Sequence, residues 1–345
     1  MQCSESSELD TIATVLENRE VGPGCFRMRL AGRNVAASAR PGQFVHVRIP
    51  SPSLDPLLRR PFSVCLTNPS GGTFLVLYQV VGRGTEMLTG LRHGDGLAVL
   101  GPLGRGFELL SDTGSTVLVA GGIGIAPLVM LSHALFTAGK QFTLLIGARS
   151  RDLLVGLDLL PAGPCPAQDG LGCGQQRRPG VPMVHRAGDG GGSRGGGPGP
   201  ADSAQPEPPG RSAESMHWLV PRDSDVAPGS DYYDVRVVTE DGSVGERGLV
   251  TDVLGRLLVR GGIACIYACG PLAMLREVAR LGEAHDVPVQ VSLEERMACG
   301  LGACLGCAVR RRPRRGAGPK HPAYLRVCAD GPVFWSSEVD LGDIS

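Results

Sequence analysis

Apolar and polar positions alternate through the first third of the chain. Residues 11–21, 25–32, 43–49, 61–68, 73–81 and 96–104 are β-rich or alternating runs. A period of two is the signature of strands with one buried face. Gly22-Pro23-Gly24, Pro41-Gly42 and Gly71-Gly72 punctuate these runs as turn signals. Short strands at this spacing predict an antiparallel barrel or sandwich over residues 8–110.

The pattern changes after Ser115. Residues 117–120 (VLVA) form a short β-branched, apolar run, as parallel strands do. A glycine-rich turn follows, and then a helix beginning near Pro127. Further strands are expected at 142–146, 232–239, 264–268 and 287–293, with helices at 248–259, starting near Thr251, and at 272–285. Strands alternating with helices predict an open α/β sheet over residues 111–290. Its middle is interrupted. Residues 161–210 hold 14 Gly and 10 Pro, well above the roughly 25–30% that marks low complexity. We therefore expect a disordered surface insertion at 161–229. Cys165 and Cys173 lie in it and are read as incidental.

Composition narrows the class. Of the 345 residues, 42% are hydrophobic and 20% charged, which allows real cores in two or three domains. The formal net charge of +0 gives no support for a nucleic-acid or acidic-membrane partner. The apolar stretch at 116–131 is broken by Gly121, Gly122, Gly124 and Pro127, so it does not read as a membrane span. The first ten residues, MQCSESSELD, lack a signal-peptide pattern. The 11 cysteines are mostly scattered, which fits a reducing compartment, and the expected location is cytoplasmic.

Several short motifs carry candidate chemistry. Arg60-Pro61-Phe62-Ser63 places a guanidinium suited to a pyrophosphate beside a hydroxyl suited to a flavin edge. Taken alone, the tetrapeptide is better explained as a solvated Arg before an ordinary strand. Leu77-Tyr78-Gln79 ends a strand, and Gly84-Thr85 follows, with Thr85 as an expected helix N-cap beside a phosphate site. Tyr78 suits either a ring-stacking wall or the core. Gly121-Gly122-Ile123-Gly124 lets backbone approach a dinucleotide or simply packs a turn; it departs from the strict dinucleotide fingerprint. Cys269-Gly270-Pro271 ends a strand, where ligands of such sheets bind, and fits either a nicotinamide border or a turn. Arg149 ends another strand, where a ribose would lie.

The C-terminal cysteines are more specific. Cys299, Cys304 and Cys307 follow a C-x4-C-x2-C spacing, and Cys328 is the fourth. That is the spacing of a plant-type [2Fe–2S] loop. Gly300, Gly302 and Gly306 supply the freedom such a wrap needs. Zinc is the alternative, but structural zinc sites favour paired C-x2-4-C knuckles, and only one such pair exists here.

Taken in order, these motifs, together with Cys328-Ala329-Asp330-Gly331-Pro332-Val333-Phe334, resemble the ferredoxin reductase superfamily. Within it they are similar to the electron-transfer subunits of class B, NAD-dependent dihydroorotate dehydrogenases. The resemblance implies a β-barrel binding FAD, an α/β domain for NAD, and a [2Fe–2S] domain at 291–345. It implies a partner catalytic subunit with FMN that oxidises dihydroorotate to orotate, in a heterotetramer with two subunits of each kind, serving pyrimidine (UMP) synthesis. Electrons would pass from FMN through the cluster and FAD to NAD. Arg60, Ser63, Tyr78, Gly84 and Thr85 carry over as FAD contacts, and the four C-terminal cysteines as cluster ligands. Subunits of NADH-dependent ferredoxin:NADP oxidoreductases and sulfide dehydrogenases share this architecture and are the alternative. All four ligand positions being Cys favours the dihydroorotate family.

Overall fold

The computed structural model of the chain describes residues 10–51, 55–110, 114–162, 233–312 and 323–344. Almost all of the expected 161–229 insertion, including Cys165 and Cys173, lies outside the described residues.

The first part is a closed barrel of β1 (Asp10–Gly22), β2 (Cys25–Ala31), β3 (Phe44–Val47), β4 (Arg60–Asn68), β5 (Thr73–Gln79) and β6 (Gly96–Leu103). Their order around the barrel is β1-β2-β5-β4-β3-β6, every pair antiparallel. Of the two architectures expected, the closed one is found, and closure leaves no unpaired strand edge. Two short helices decorate it, α1 (Arg33–Ser38) and α2 (Arg83–Thr89).

Strand β3 is buried along its whole length. Val45 and Val47 pack with the barrel interior. Phe44 and His46 alternate onto the outer face, as a pleated strand requires. Phe44 joins the core that contains Val327, Cys328 and Phe334 of the C-terminal segment. A strand covered on both faces cannot show the period-two alternation, which explains its unbroken apolar run around one histidine.

The second part is a seven-stranded sheet. It comprises β7 (Ser115–Gly121), β8 (Phe142–Ala148), β9 (Tyr233–Thr239), β10 (Glu246–Arg247), β11 (Ile263–Cys269), β12 (Val289–Ser292) and, from the chain's end, β15 (Val333–Trp335). The order is β10-β9-β8-β7-β11-β12-β15, parallel except for the last pair. Helices α3 (Ile125–Thr137), α4 (Val250–Arg260) and α5 (Leu272–Ala284) cover it. Along β7, Val117 and Val119 face the core built with α4 and α5, while Leu118 and Ala120 face α3. Helix α3 is buried nearly all round because it lies between the sheet and the barrel, sharing a core with Cys65 and Leu77. Helices α4 and α5 each bury one stripe: Val250, Val253, Leu254 and Leu258 of α4, and Leu275 and Val278 of α5. The start of α4 is set by Asp252, whose carboxylate accepts the Leu249 N–H at 3.2 Å, rather than by Thr251. Among the described residues, no helix is long and apolar enough to cross a membrane.

A small hairpin, β13 (Ala308–Arg310) with β14 (Tyr324–Arg326), carries the cysteine segment. Beyond it the chain returns through Gly331-Pro332 to the barrel, where Arg105 donates its N–H to the Gly331 carbonyl. It then enters the sheet as β15.

Candidate functional site

Three groups of side chains stand out. The first lies where β4 meets α2. The Arg60 guanidinium donates to the Leu58 carbonyl at 2.8 Å and lies against Gly84. A Cβ on Gly84 would stand 3.1 Å from Arg60 Nε and 3.3 Å from Nη2, so glycine is what lets the guanidinium lie over the helix. Among the described residues no carboxylate pairs with Arg60 and no group hydrogen-bonds the half-buried Ser63 hydroxyl. An uncompensated cation at the start of a strand that also carries a hydroxyl suits an anionic, polar-edged group such as FAD.

Thr85 corrects the sequence expectation. It stands in the third position of α2, not at the N-cap. Its buried hydroxyl accepts the N–H of Val81 at 2.9 Å and of Gly82 at 3.2 Å, and donates to the Gly82 carbonyl at 2.8 Å. It therefore shapes the turn before the helix and has no freedom left for a ligand. Tyr78 takes the core alternative: it is 2% exposed, stacks on Phe26 at 5.4 Å, and lies 5.7 Å from Phe62. Its hydroxyl donates to Asn18 Oδ1 at 3.0 Å, and burial pushes its pKa up to about 12. Leu77 is buried against the α3 side, and Gln79 is half-buried at the strand end.

The second group joins two motifs that are distant in sequence. Strands β7 and β11 are parallel neighbours, so their carboxyl ends, Gly121-Gly122-Ile123-Gly124 and Cys269-Gly270-Pro271, meet. A Cβ on Gly124 would lie 2.3 Å from the Cys269 carbonyl oxygen, and one on Gly121 would lie 2.6 Å from Pro271 Cδ. Close packing thus accounts for both of these glycines. Gly122 differs: its φ is +53° and nothing lies within 4 Å of where its Cβ would be, leaving space open there. The Cys269 thiol is buried, and burial drives its pKa up strongly, so it stays a neutral thiol. Arg149 is exposed at the end of β8.

The third group is the cysteine loop. The N–H of Leu301 points at Cys299 Sγ (3.4 Å), that of Gly302 at Cys328 Sγ (3.1 Å), and that of Gly306 at Cys304 Sγ (3.4 Å). The Cys328 N–H points at Cys307 Sγ (3.4 Å). Backbone N–H groups around a sulfur favour the thiolate, and those of Leu301 and Cys304 pull Cys299 down to about 6. Burial pushes Cys328 up to about 12.

Cys304 acts on Cys299, and both Cys307 and Cys299 act on Cys328. Among the described residues no three His, Cys, Asp or Glu side chains are grouped as a single ion requires. Four interacting cysteines in a C-x4-C-x2-C spacing with an outlying fourth suit a two-iron cluster. The turn bearing Cys328 is clasped by Arg326, which meets Asp330 through Nε and Nη2, each at 3.0 Å, and donates to the Gly302 carbonyl at 3.1 Å.

Two residues escaped the sequence analysis. Arg326 sits within the loop's return and is recognisable only once the clasp forms. His46 is fully buried, and neither ring nitrogen has a hydrogen-bond partner. Carbonyls of Met297, Arg59 and Cys299 face it; burial, the largest influence, lowers its pKa, so the ring is neutral near pH 7. The available signal was a lone polar residue in an otherwise apolar strand.

The barrel, the nucleotide-type sheet and the cysteine loop define a fold of the ferredoxin-reductase type with a cysteine-bearing C-terminal segment. Among solved structures, the fold is similar to that of an NADH-dependent reduced ferredoxin–NADP oxidoreductase. Its TM-score is 0.66 and its identity 24%, over 96% of this chain and 91% of that one. The ferredoxin reductase of carbazole 1,9a-dioxygenase shares the fold at a TM-score of 0.54 and 17% identity, over 82% and 68% of the two chains. Residues 294–340 match the iron–sulfur cluster binding domain of dihydroorotate dehydrogenase B. The whole chain is similar to the dihydroorotate dehydrogenase B (NAD(+)) electron transfer subunit of Desulforamulus reducens, with 32% identity over 95% of this chain and 97% of the relative. The protein of the same description from Bacillus cereus (strain B4264) is 30% identical over the same shares. The chain belongs to the family of dihydroorotate dehydrogenase B electron transfer subunits.

Proposed function

We propose that this chain delivers electrons to NAD+ from an FMN-bearing catalytic subunit that oxidises dihydroorotate to orotate, in an assembly with two copies of each subunit. In this reading residues 8–110 hold FAD, 111–290 hold NAD and 291–345 hold a [2Fe–2S] cluster, and the product serves pyrimidine synthesis. When bound, FAD exchanges single electrons as well as a hydride, and the cluster carries one electron at a time.

The chain's own residues bind and orient. Arg60 neutralises a pyrophosphate, and the Ser63 hydroxyl meets a flavin edge, with Pro61 and Phe62 between them. Leu77 and Tyr78 contribute backbone, since their side chains are core, and Gln79 lies at the strand end. Gly84 admits the Arg60 guanidinium, while Thr85 holds the turn before α2. Gly121, Gly122 and Gly124 let backbone approach the dinucleotide, and Cys269, Gly270 and Pro271 border the nicotinamide. The neutral Cys269 thiol holds its proton, so no side-chain base acts here. Cys299, Cys304, Cys307 and Cys328 supply the thiolates.

The observation that carries the reading is the set of four cysteines, each sulfur faced by a backbone N–H, in a chain related over nearly its full length to this family. The test is cofactor analysis of the chain purified with its catalytic partner, followed by dihydroorotate-driven NAD+ reduction. About one FAD and two irons per chain, with activity that needs both subunits, is the expected result. A colourless protein, or a loaded one inactive with dihydroorotate, overturns it.

A further inference from the structure

His46 joins the two redox regions. On β3 and β4, Phe44 pairs with Ser63 and His46 pairs with Pro61. Residues paired across antiparallel strands point to the same face. His46, Phe44, Pro61 and Ser63 therefore share the barrel's outer face, with His46 diagonal to Ser63, a separation of about 7–8 Å or less.

The other side of the His46 ring meets the cysteine loop. A Cβ on Gly300 would stand 2.6 Å from His46 Nδ1, so the residue after Cys299 is glycine because the imidazole occupies that space. Carbonyls of Met297 and Cys299 face the ring. A fully buried imidazole with no hydrogen-bond partner costs free energy wherever it serves only packing. An apolar side chain of similar size would fill the space without that cost. The orphaned nitrogen is accounted for if the loop closes onto it when it carries its cluster.

Resting on the reading that this chain holds both FAD and [2Fe–2S], we infer that His46 is a positioning residue for electron transfer between them. With the cluster bound, its ring N–H takes up one of the facing Met297 and Cys299 carbonyls and so ties the Met297–Gly300 backbone, and with it Cys299, to the barrel strand beside Ser63. The imidazole is neither oxidised nor reduced. It sets the distance and orientation across which the electron moves, as outer-shell partners do for metal ligands.

The experiment uses the full chain purified with its partner subunit and labelled with 15N-histidine. Pulsed EPR of the reduced cluster reads hyperfine coupling to imidazole nitrogen, and stopped-flow mixing with NADH reads the rate of cluster reduction. The expected result is 15N coupling in the unsubstituted protein that His46→Leu abolishes. In that variant the rate falls by about tenfold to a hundredfold. His46→Asn, whose amide nitrogen replaces Nδ1, restores most of the rate.

A His46→Leu protein that binds both cofactors and transfers electrons within about twofold of the unsubstituted rate overturns the inference. So does an absence of 15N coupling in the unsubstituted protein, which decides the matter even if the variant fails to load. An unsubstituted protein without FAD or cluster refutes instead the functional reading beneath it.

Discussion

Gly124→Ala perturbs the point where the two strand-end motifs meet. The added Cβ would lie 2.3 Å from the Cys269 carbonyl oxygen, 2.6 Å from its carbon and 2.8 Å from Gly270 Cα. All three are backbone atoms, so no side chain can swing away. Restoring an ordinary separation requires the turn after β7 and the end of β11 to part by about 1 Å. Overpacking of this kind costs about 1–3 kcal/mol. A displacement of about 1 Å in groups that position a substrate lowers a rate by about a hundredfold. The assay is flavin reduction by NADH in single turnover, with the cluster's EPR signal as the check that the C-terminal segment is intact. Gly139→Ala, beyond the end of α3, is the internal control: its φ is +67° but its Cβ would meet nothing within 4 Å. It carries only the left-handed backbone cost of roughly 1–2 kcal/mol. A Gly124→Ala protein that reduces its flavin as fast as the Gly139→Ala protein would refute the reasoning.

Three further outcomes follow from the barrel. Arg60→Ala removes charge-assisted hydrogen bonds and is expected to weaken FAD binding by about tenfold to a hundredfold, read by titrating the apoprotein with FAD fluorescence. Thr85→Val strands the N–H groups of Val81 and Gly82, costing about 1–3 kcal/mol, and hydrogen exchange at those two amides should quicken while the rest of the barrel is unchanged. Tyr78 has a folded pKa raised to about 12, above its ordinary value of about 10. Its contribution to stability is therefore complete below pH 10 and is lost as pH rises towards 12; a spectrophotometric tyrosine titration should find this phenol ionising well above pH 10, as the barrel opens, and ionisation near pH 10 in the folded protein would contradict its burial.

The barrel strands were legible because their turns carry Gly and Pro and because most show one buried face. Strand β3 lacked that signal, being covered on both sides, and was found from its apolar content and its bounding turns. Helix α3 shows no amphipathic stripe, since sheet and barrel cover it together, and it was located only through the glycines before it. The cysteine spacing revealed its chemistry directly, because ligand geometry is local in sequence. What stayed hidden depends on distant pairs. Tyr78 gave no sign of choosing the core until Phe26, Phe62 and Asn18 surrounded it. The roles of Gly121 and Gly124 emerged only when β11 came alongside β7. The strands β13, β14 and β15 are each three residues long, too short to show a period.

The last of those short strands gives the C-terminal segment a second role. Because β15 pairs with β12, it covers what would otherwise be the open margin of the parallel sheet. It lies in register with Gln290, Val291 and Ser292, all buried. Deleting the cysteine segment would leave a bare apolar edge, a template for self-association. The iron–sulfur portion is therefore not a detachable cassette. A reductase without it needs another element to guard β12, and trimming this chain to its flavin and nucleotide parts should yield aggregates rather than a smaller working enzyme.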